Sequence, residues 1–235
     1  VTTLRERADA AAQVLVADVG QPALDDGDAH HLFRVLRLRD GEQVVASDGR
    51  GTWRTCVVAR GALEPLGETV HEPRPPRPVA VWLPALKGER AEWAVQKLTE
   101  LGADEIGLLA CDRGAVRLDA TTTQRVLARW QRVAREATCQ ARRAWLPDVA
   151  GPLDVAAARA AGVVPCELDG ELDAGAQVAL AVGPEGGWSP TERDGVARSV
   201  GLGATVLRTE TAAVCAGVLL VAARRTRHDA ALDAP

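Results

Sequence analysis

Val178-Ala-Leu-Ala-Val-Gly-Pro-Glu-Gly-Gly-Trp-Ser-Pro-Thr-Glu-Arg193 begins as an apolar run of strand length and breaks at Gly183-Pro184. Two more glycines follow, Gly186 and Gly187, and then the signals of a helix start crowd together. Ser189 is a good N-cap, because its hydroxyl can accept from an otherwise unpaired helical N–H. Pro190 suits the first helical position, and Glu192 can reach back to the cap N–H to complete a capping box. Strand, tight glycine turn and helix N-terminus together make a platform of backbone groups for a ligand. The spacing Gly183-x-x-Gly186-Gly187 is neither the dinucleotide fingerprint nor the Walker A loop, which needs Gly-Lys-Ser/Thr. The expected occupant is not a standard nucleotide phosphate.

Outward from this stretch, strands and helices alternate. The patterning predicts strands at residues 79–83, 106–110, 163–168, 178–182 and 205–207. Between them it predicts a helix over 89–101 stopped by Gly102, and a long helix over 123–145. That long helix should bury Val126, Leu127, Trp130, Val133, Ala134 and Ala137. A last helix over 211–225 is apolar nearly all round through Ala223. Such alternation implies a mostly parallel sheet covered on both faces, with ligands beyond the carboxyl ends of its strands. Gly183 and Arg208 are expected there.

Four prolines within His71-Glu-Pro-Arg-Pro-Pro-Arg-Pro78 favour extended chain and mark a linker. We therefore expect an N-terminal domain over 1–72, a linker over 73–78 and a larger domain over 79–228. The N-terminal part reads as mainly β, with a strand at 14–19 and a hairpin of 43–47 and 53–59 around Asp48-Gly-Arg-Gly51. Asp28 is expected to cap a short helix through Arg37, with Leu32, Val35 and Leu36 on one side and Arg34 and Arg37 on another.

Composition narrows the function. The chain has 235 residues, 47% hydrophobic and 26% charged, as a folded protein of one large or two modest domains does. It holds no Tyr, one Phe and six Trp, which argues against an aromatic platform for stacked bases. No run reaches the ~20 apolar residues of a membrane helix and no signal-peptide core opens the chain, so a cytoplasmic protein is expected. The five cysteines are scattered without a C-x-x-C pair, which argues for reduced thiols over disulfides or structural zinc. Adjacent His30 and His31 diverge by about 100° on a helix and would chelate one metal poorly, so no metal is expected. Net charge is −4, yet arginines cluster at 34, 37 and 39, at 125–143, and at 224, 225 and 227. Either these are solvated helix faces or they are a distributed footprint for RNA.

Hydrolytic readings fail. Ser189 lacks a Gly-x-Ser-x-Gly elbow and no histidine lies near the strand-end loops. Neither Cys166 nor Cys215 has an electropositive setting that would make it a nucleophile. Leu207-Arg-Thr-Glu-Thr-Ala212 on its own is an ordinary capped helix start; joined to the glycine loop it suggests a pocket lined by backbone groups.

The two loops resemble the signature of the knotted SPOUT methyltransferases, specifically the ribosomal RNA small subunit methyltransferase E family. His30-His-Leu-Phe-Arg-Val-Leu-Arg37 resembles its N-terminal motif. Lys87-Gly-Glu-Arg-Ala-Glu-Trp-Ala-Val-Gln-Lys-Leu-Thr-Glu-Leu-Gly102 resembles the first motif of its catalytic domain. Arg129-Trp-Gln-Arg-Val-Ala-Arg-Glu-Ala and Gln140-Ala-Arg-Arg143 resemble the next, and the strand-end loops complete the order. One departure is visible: the family opens with a short basic-aromatic strand, whereas Val1-Thr-Thr-Leu-Arg-Glu-Arg-Ala-Asp-Ala reads as a helix.

The resemblance implies a PUA-like β-barrel followed by a parallel-sheet α/β domain with a C-terminal trefoil knot. It implies a homodimer that methylates N3 of a uridine in small-subunit ribosomal RNA, free or within the subunit, using S-adenosylmethionine. The implied cofactor contacts are Leu168, Val182, Gly183, Pro184, Glu185, Gly186, Gly187 and Leu202. They continue through Leu207, Arg208, Thr209, Glu210, Thr211 and Ala212. Arg208 and Glu210 are the implied catalytic side chains; Arg34, Arg37, Lys87, Arg90, Lys97, Arg142 and Arg143 are the implied RNA contacts. Two alternatives stand beside this reading: a knotted enzyme acting on a ribose 2′-hydroxyl, and a catalytically silent RNA-binding assembly factor.

Overall fold

The computed structural model describes residues 2–171 and 177–232, with side chains over 4–171 and 177–226. The side chain of Arg227 therefore lies outside the described residues. Contacts divide the chain into two compact units, one of residues up to Pro75 together with Arg135–Leu146, the other of Pro76–Ala134 and Pro147 onward.

The first unit opens with helix α1 (Thr2–Asp9), as its sequence suggests, and strand β1 (Ala12–Leu15). The strand expected at 14–19 starts earlier and stops at Leu15, because its parallel partner β2 (Gln43–Ser47) ends there, with Leu15 opposite Ser47. Helix α2 (Asp26–His30) lies between them. Its cap is Asp25, not Asp28: the Asp25 carboxylate accepts from the Asp28 N–H at 2.7 Å. The helix then widens into a π-turn, His31–Val35, and Arg37 adopts φ 57°. Only Leu32 of the expected apolar side is buried; Val35 is 57% exposed and Leu36 43%. The left-handed Arg37 turns the chain so that Leu38 joins Phe33 and Leu24 against the core instead. Arg37 thus leaves the helix and does not share a helical face with Arg34.

Strand β3 (Thr52–Ala59) pairs antiparallel with β2, and β4 (Ala62–Pro65) and β5 (Val70–His71) both pair with β3. The β2–β3 turn is held by Asp48, whose Oδ1 accepts from the N–H groups of Arg50 and Thr52 at 2.7 and 2.9 Å. The segment 135–146 is sewn to this sheet by polar bonds. Gln13 Nε2 donates to the Arg143 carbonyl at 2.7 Å, and Leu146 N–H to that of Gly49 at 2.9 Å. Arg7, almost fully buried, pairs with Glu72, lies 5.1 Å above the Trp53 ring and donates to the Arg142 carbonyl at 2.8 Å.

The second unit holds a five-stranded parallel sheet in the order β8-β7-β6-β10-β9. Its strands and helices follow as β6 (Ala80–Pro84), α3 (Arg90–Leu101), β7 (Glu105–Ala110) and α4 (Ala120–Gln140), the last of which belongs to this unit as far as Ala134. Then come β8 (Asp148–Asp154), α5 (Val155–Ala160), β9 (Val164–Glu171), β10 (Ala179–Ala181), α6 (Pro190–Arg193) and α7 (Thr209–Leu232). All pairs in this sheet are parallel, and β6, β7 and β10 are mostly buried runs, as a sheet covered on both faces requires. Gly102 terminates α3 in the left-handed region at φ 102°, where glycine carries no Cβ penalty.

Four points here differ from expectation. Helix α4 ends at Gln140, not at residue 145, because Arg142 takes φ 55° and the N–H of Arg143 closes onto the Thr138 carbonyl at 3.0 Å. This is a Schellman-type stop built without glycine. Along α4, Trp130, Ala134 and Ala137 are buried, whereas Val126, Leu127 and Val133 are only half-buried. Residues 205–207 are not a strand; they run as irregular chain into α7. Strand β8 was not expected, since Gly151-Pro152 interrupts its pattern; it lies at the sheet edge, where proline costs no interior ladder bond.

Candidate cofactor site

Strand β10 lies between β6 and β9, and its carboxyl end opens into the glycine loop. Gly187 N–H donates to the Pro184 carbonyl at 2.8 Å, closing a tight turn with Gly187 at φ 67°. The capping box forms as its residues require. Ser189 Oγ accepts from Glu192 N–H at 3.2 Å, and the Glu192 carboxylate accepts from Ser189 N–H at 2.6 Å. Helix α6 has four residues, so the box serves to pin the loop more than to start a long helix.

Neighbouring elements hold this loop from behind. Ser189 Oγ donates to Asp112 at 2.5 Å, and Glu192 accepts from the Asp112 N–H at 2.8 Å. Arg113 Nη1 donates to the carbonyls of Gly186 and Trp188 at 3.2 and 3.3 Å. Trp188 is buried and donates from Nε1 to the Cys166 carbonyl at 3.0 Å. A Cβ at Gly183 would lie 3.1 Å from the Trp188 ring, so glycine is what allows the main chain to run over the indole. At the start of α7, Thr209 Oγ1 donates to the Gly183 carbonyl at 3.0 Å and joins the two loops.

The loops enclose a cavity of about 520 Å³, within the range of small-molecule sites. Of the expected cofactor contacts, Leu168, Val182, Gly183, Pro184, Glu185, Gly186, Gly187, Leu202, Leu207, Arg208, Thr209 and Ala212 line it. Glu210 and Thr211 do not: Thr211 is exposed on α7, and Glu210 turns to Arg90. Cys166, Glu167, Trp188, Arg193, Gly203, Thr205 and Val206 line it as well, and none was singled out from spacing. Sequence reasoning also missed Asp112 and Arg113. Trp188 alone carried a signal, as the lone aromatic inside the glycine stretch.

Burial pushes the Cys166 thiol up to about 12, with Glu167 adding to the effect, so the thiol stays protonated. Burial likewise raises Glu167 above its ordinary value, opposed by Arg193, whose Nε sits 3.2 Å from the carboxylate.

Arg90 lies between two carboxylates. Its Nη2 donates to Glu185 at 2.7 Å, its Nη1 stands 3.6 Å from Glu210, and its Nε donates to the Lys87 carbonyl at 3.3 Å. Glu210 is buried, and among the described residues its Oε2 makes no hydrogen bond. A desolvated carboxylate needs such a partner, so Arg90 serves the loops before it can serve a phosphate. Lys97 pairs with Glu100 at 2.8 Å. Arg142 donates to the carbonyls of Ala10 and Ala11 at 3.0 Å and to that of Cys139 at 3.1 Å. Arg143 is half-buried, while Arg34, Arg37 and Lys87 stand exposed. Among the described residues no three His, Cys, Asp or Glu side chains converge as a metal site would require, and no helix is long and apolar enough to cross a membrane.

Comparison with known proteins agrees with this geometry. Residues 73–221 match the family described as RNA methyltransferase domain, and residues 24–62 match the RNA methyltransferase PUA domain. The chain is 38% identical over 226 residues to the ribosomal RNA small subunit methyltransferase E of Mycobacterium bovis, covering 85% of this chain and 86% of that one. A putative methyltransferase from Legionella pneumophila, solved with bound SAM, superposes with a TM-score of 0.76 at 26% identity, covering 90% and 97% of the two chains. The ribosomal RNA small subunit methyltransferase E of Neisseria gonorrhoeae, bound to S-adenosyl methionine, shares the fold with a TM-score of 0.70 at 24% identity over 92% and 97%.

Proposed function

The chain belongs to the ribosomal RNA small subunit methyltransferase E family, and we propose that it methylates N3 of a uridine in small-subunit ribosomal RNA. The protein is an S-adenosylmethionine-dependent RNA methyltransferase with a PUA-like domain ahead of a parallel-sheet α/β domain. The trefoil knot, the homodimer, the cytoplasmic location and the boundaries 1–72 and 79–228 are part of the same proposal.

The observation that carries it is the cavity of about 520 Å³ walled by backbone groups of the glycine loop and the start of α7. Its chemistry fits the cofactor: apolar walls from Leu168, Val182, Leu202 and Leu207 suit adenine, and open main chain at Gly186 and Gly187 suits its polar groups. When bound, S-adenosylmethionine supplies a methyl group on a sulfonium. The residues of this chain hold the ligand at the strand ends, exclude water with Trp188 and Val182 behind the loop, and orient the acceptor nitrogen. Positioning supplies much of the rate for such a transfer. Arg208, exposed at the cavity edge, and Glu210, buried beside Arg90, are the side chains assigned polar roles near cofactor or uracil.

Unmethylated small ribosomal subunits incubated with labelled cofactor should gain one methyl on a uridine base. Mapping that methyl to a ribose, or finding no transfer, would sink this reading and favour the 2′-hydroxyl enzyme or the silent factor. Arg208→Ala and Glu210→Ala should each slow transfer on the order of 100-fold, as loss of a group that stabilises developing charge does. Unchanged rates in both would remove them from the site.

A further inference from the structure

A second cavity of about 430 Å³ lies in the same unit, between the loop after β6 and the first half of α4. It shares no lining residue with the first. Lys87, Arg125 and Arg129 line it against a single carboxylate, Glu92, above an apolar floor that includes Leu86 and Val126. Glu92 accepts from Arg129 Nε at 2.9 Å and so fixes that guanidinium by one edge. Among the described residues the Nη2 of Arg129 meets Glu89 alone, at 3.5 Å, and the Glu89 side chain is 88% exposed, so water screens that contact. Lys87 and Arg125 are exposed at the rim. Among the lining side chains three cations face one carboxylate, while Glu89 beside Arg129 and Asp119 near Arg125 stand outside the lining, so the hollow itself is positive and of single-nucleotide size.

We propose that this hollow is a subsite for one nucleotide of the substrate RNA, its phosphate held by Lys87, Arg125 and Arg129. The inference rests on the RNA methyltransferase reading. Arg90 gives the subsite a physical link to the cofactor loop: its Nε holds the Lys87 carbonyl at 3.3 Å and its Nη2 holds Glu185 at 2.7 Å. A phosphate seated at Lys87 therefore lies one side chain away from the residues that line the first cavity. Fixed positioning of this kind sets register, while the base contacts elsewhere set sequence.

The test uses the full chain and an unmodified small-subunit ribosomal RNA fragment, with binding measured across a salt series. The pair Lys87→Ala and Arg125→Ala should loosen RNA roughly tenfold and flatten the salt dependence by about 0.7 per lost contact, as counterion release from single strands predicts. Calorimetric affinity for S-adenosylmethionine should not change. Val126→Phe, which fills the hollow without altering charge, should also loosen RNA. RNA affinity within about twofold of the parent in the alanine pair would overturn the subsite. Loss in the alanine pair with none in Val126→Phe would overturn it too, since the cations would then act as open surface. If the parent protein binds no RNA and transfers no methyl, the enzymatic reading itself fails and the subsite falls with it. If the parent transfers methyl while both variants bind normally, only the subsite fails.

Discussion

The glycine wall of the first cavity, residues 183–189, is tied to its surroundings by Arg113, Asp112, the Cys166 carbonyl and Thr209. The other wall, residues 202–207, has no such ties. Among the described residues its side chains make no hydrogen bond, Val206 is 82% exposed, and its neighbours from Gly203 to Thr205 are exposed as well. A ligand site needs both kinds of wall. The tied one is preorganised, so binding costs it little order; the open one offers exposed side chains that a bound ligand can cover.

Breaking the tied wall should have the largest effect. Trp188→Ala removes a buried indole and its bond to Cys166, and should lower unfolding free energy by about 3–5 kcal/mol in urea titrations. An unchanged midpoint would mean that the ring does not brace the loop. The next effect is on pH. Burial holds the thiols of Cys111 and Cys166 at about 12, above the ordinary 9.0, so unfolding releases protons between those values. Their contribution is complete below about pH 9 and is lost as pH rises toward 12. Stability should fall across that range, and a Cys111→Ala, Cys166→Ala protein should show a flatter alkaline limb. An identical limb in both proteins would exclude the thiols as its source.

Ser189→Ala should cost about 1 kcal/mol, the value of an N-cap, with a further loss from the bond to Asp112. The smallest effect belongs to the open wall. Val206→Ala should change stability by less than ~0.5 kcal/mol, as exposed positions do, yet weaken cofactor binding through lost apolar lining. Equal effects of Val206→Ala and Ser189→Ala on unfolding would erase the distinction between the walls.

Much of the tied wall was legible because its signals are local. Ser189, Pro190 and Glu192 specify a cap within four residues, and the strand before Gly183 is set by its own apolar run. The open wall was misread as a strand at 205–207, since a short β-branched run carries no record of whether a partner strand exists beside it. The end of α4 was missed for a related reason: Arg142 adopts a left-handed conformation usually signalled by glycine, and carbonyls of Ala10 and Ala11, distant in sequence, are what its guanidinium meets. Nor did the motifs that hold Arg90 and Arg142 signal their partners within the fold, Glu185 for the first and the Ala10 and Ala11 carbonyls for the second.

By itself the sequence determined the alternation of strands and helices, the parallel sheet, the glycine turn and its capped helix, because propensity, period and capping act over a few residues. Family resemblance added the cofactor and the target. Tertiary structure decided which side chains reach the cavity, that Arg113 and Trp188 brace it, and that Glu210 answers to Arg90. Those outcomes depend on contacts between residues up to about a hundred and twenty positions apart, and no local pattern encodes such distances.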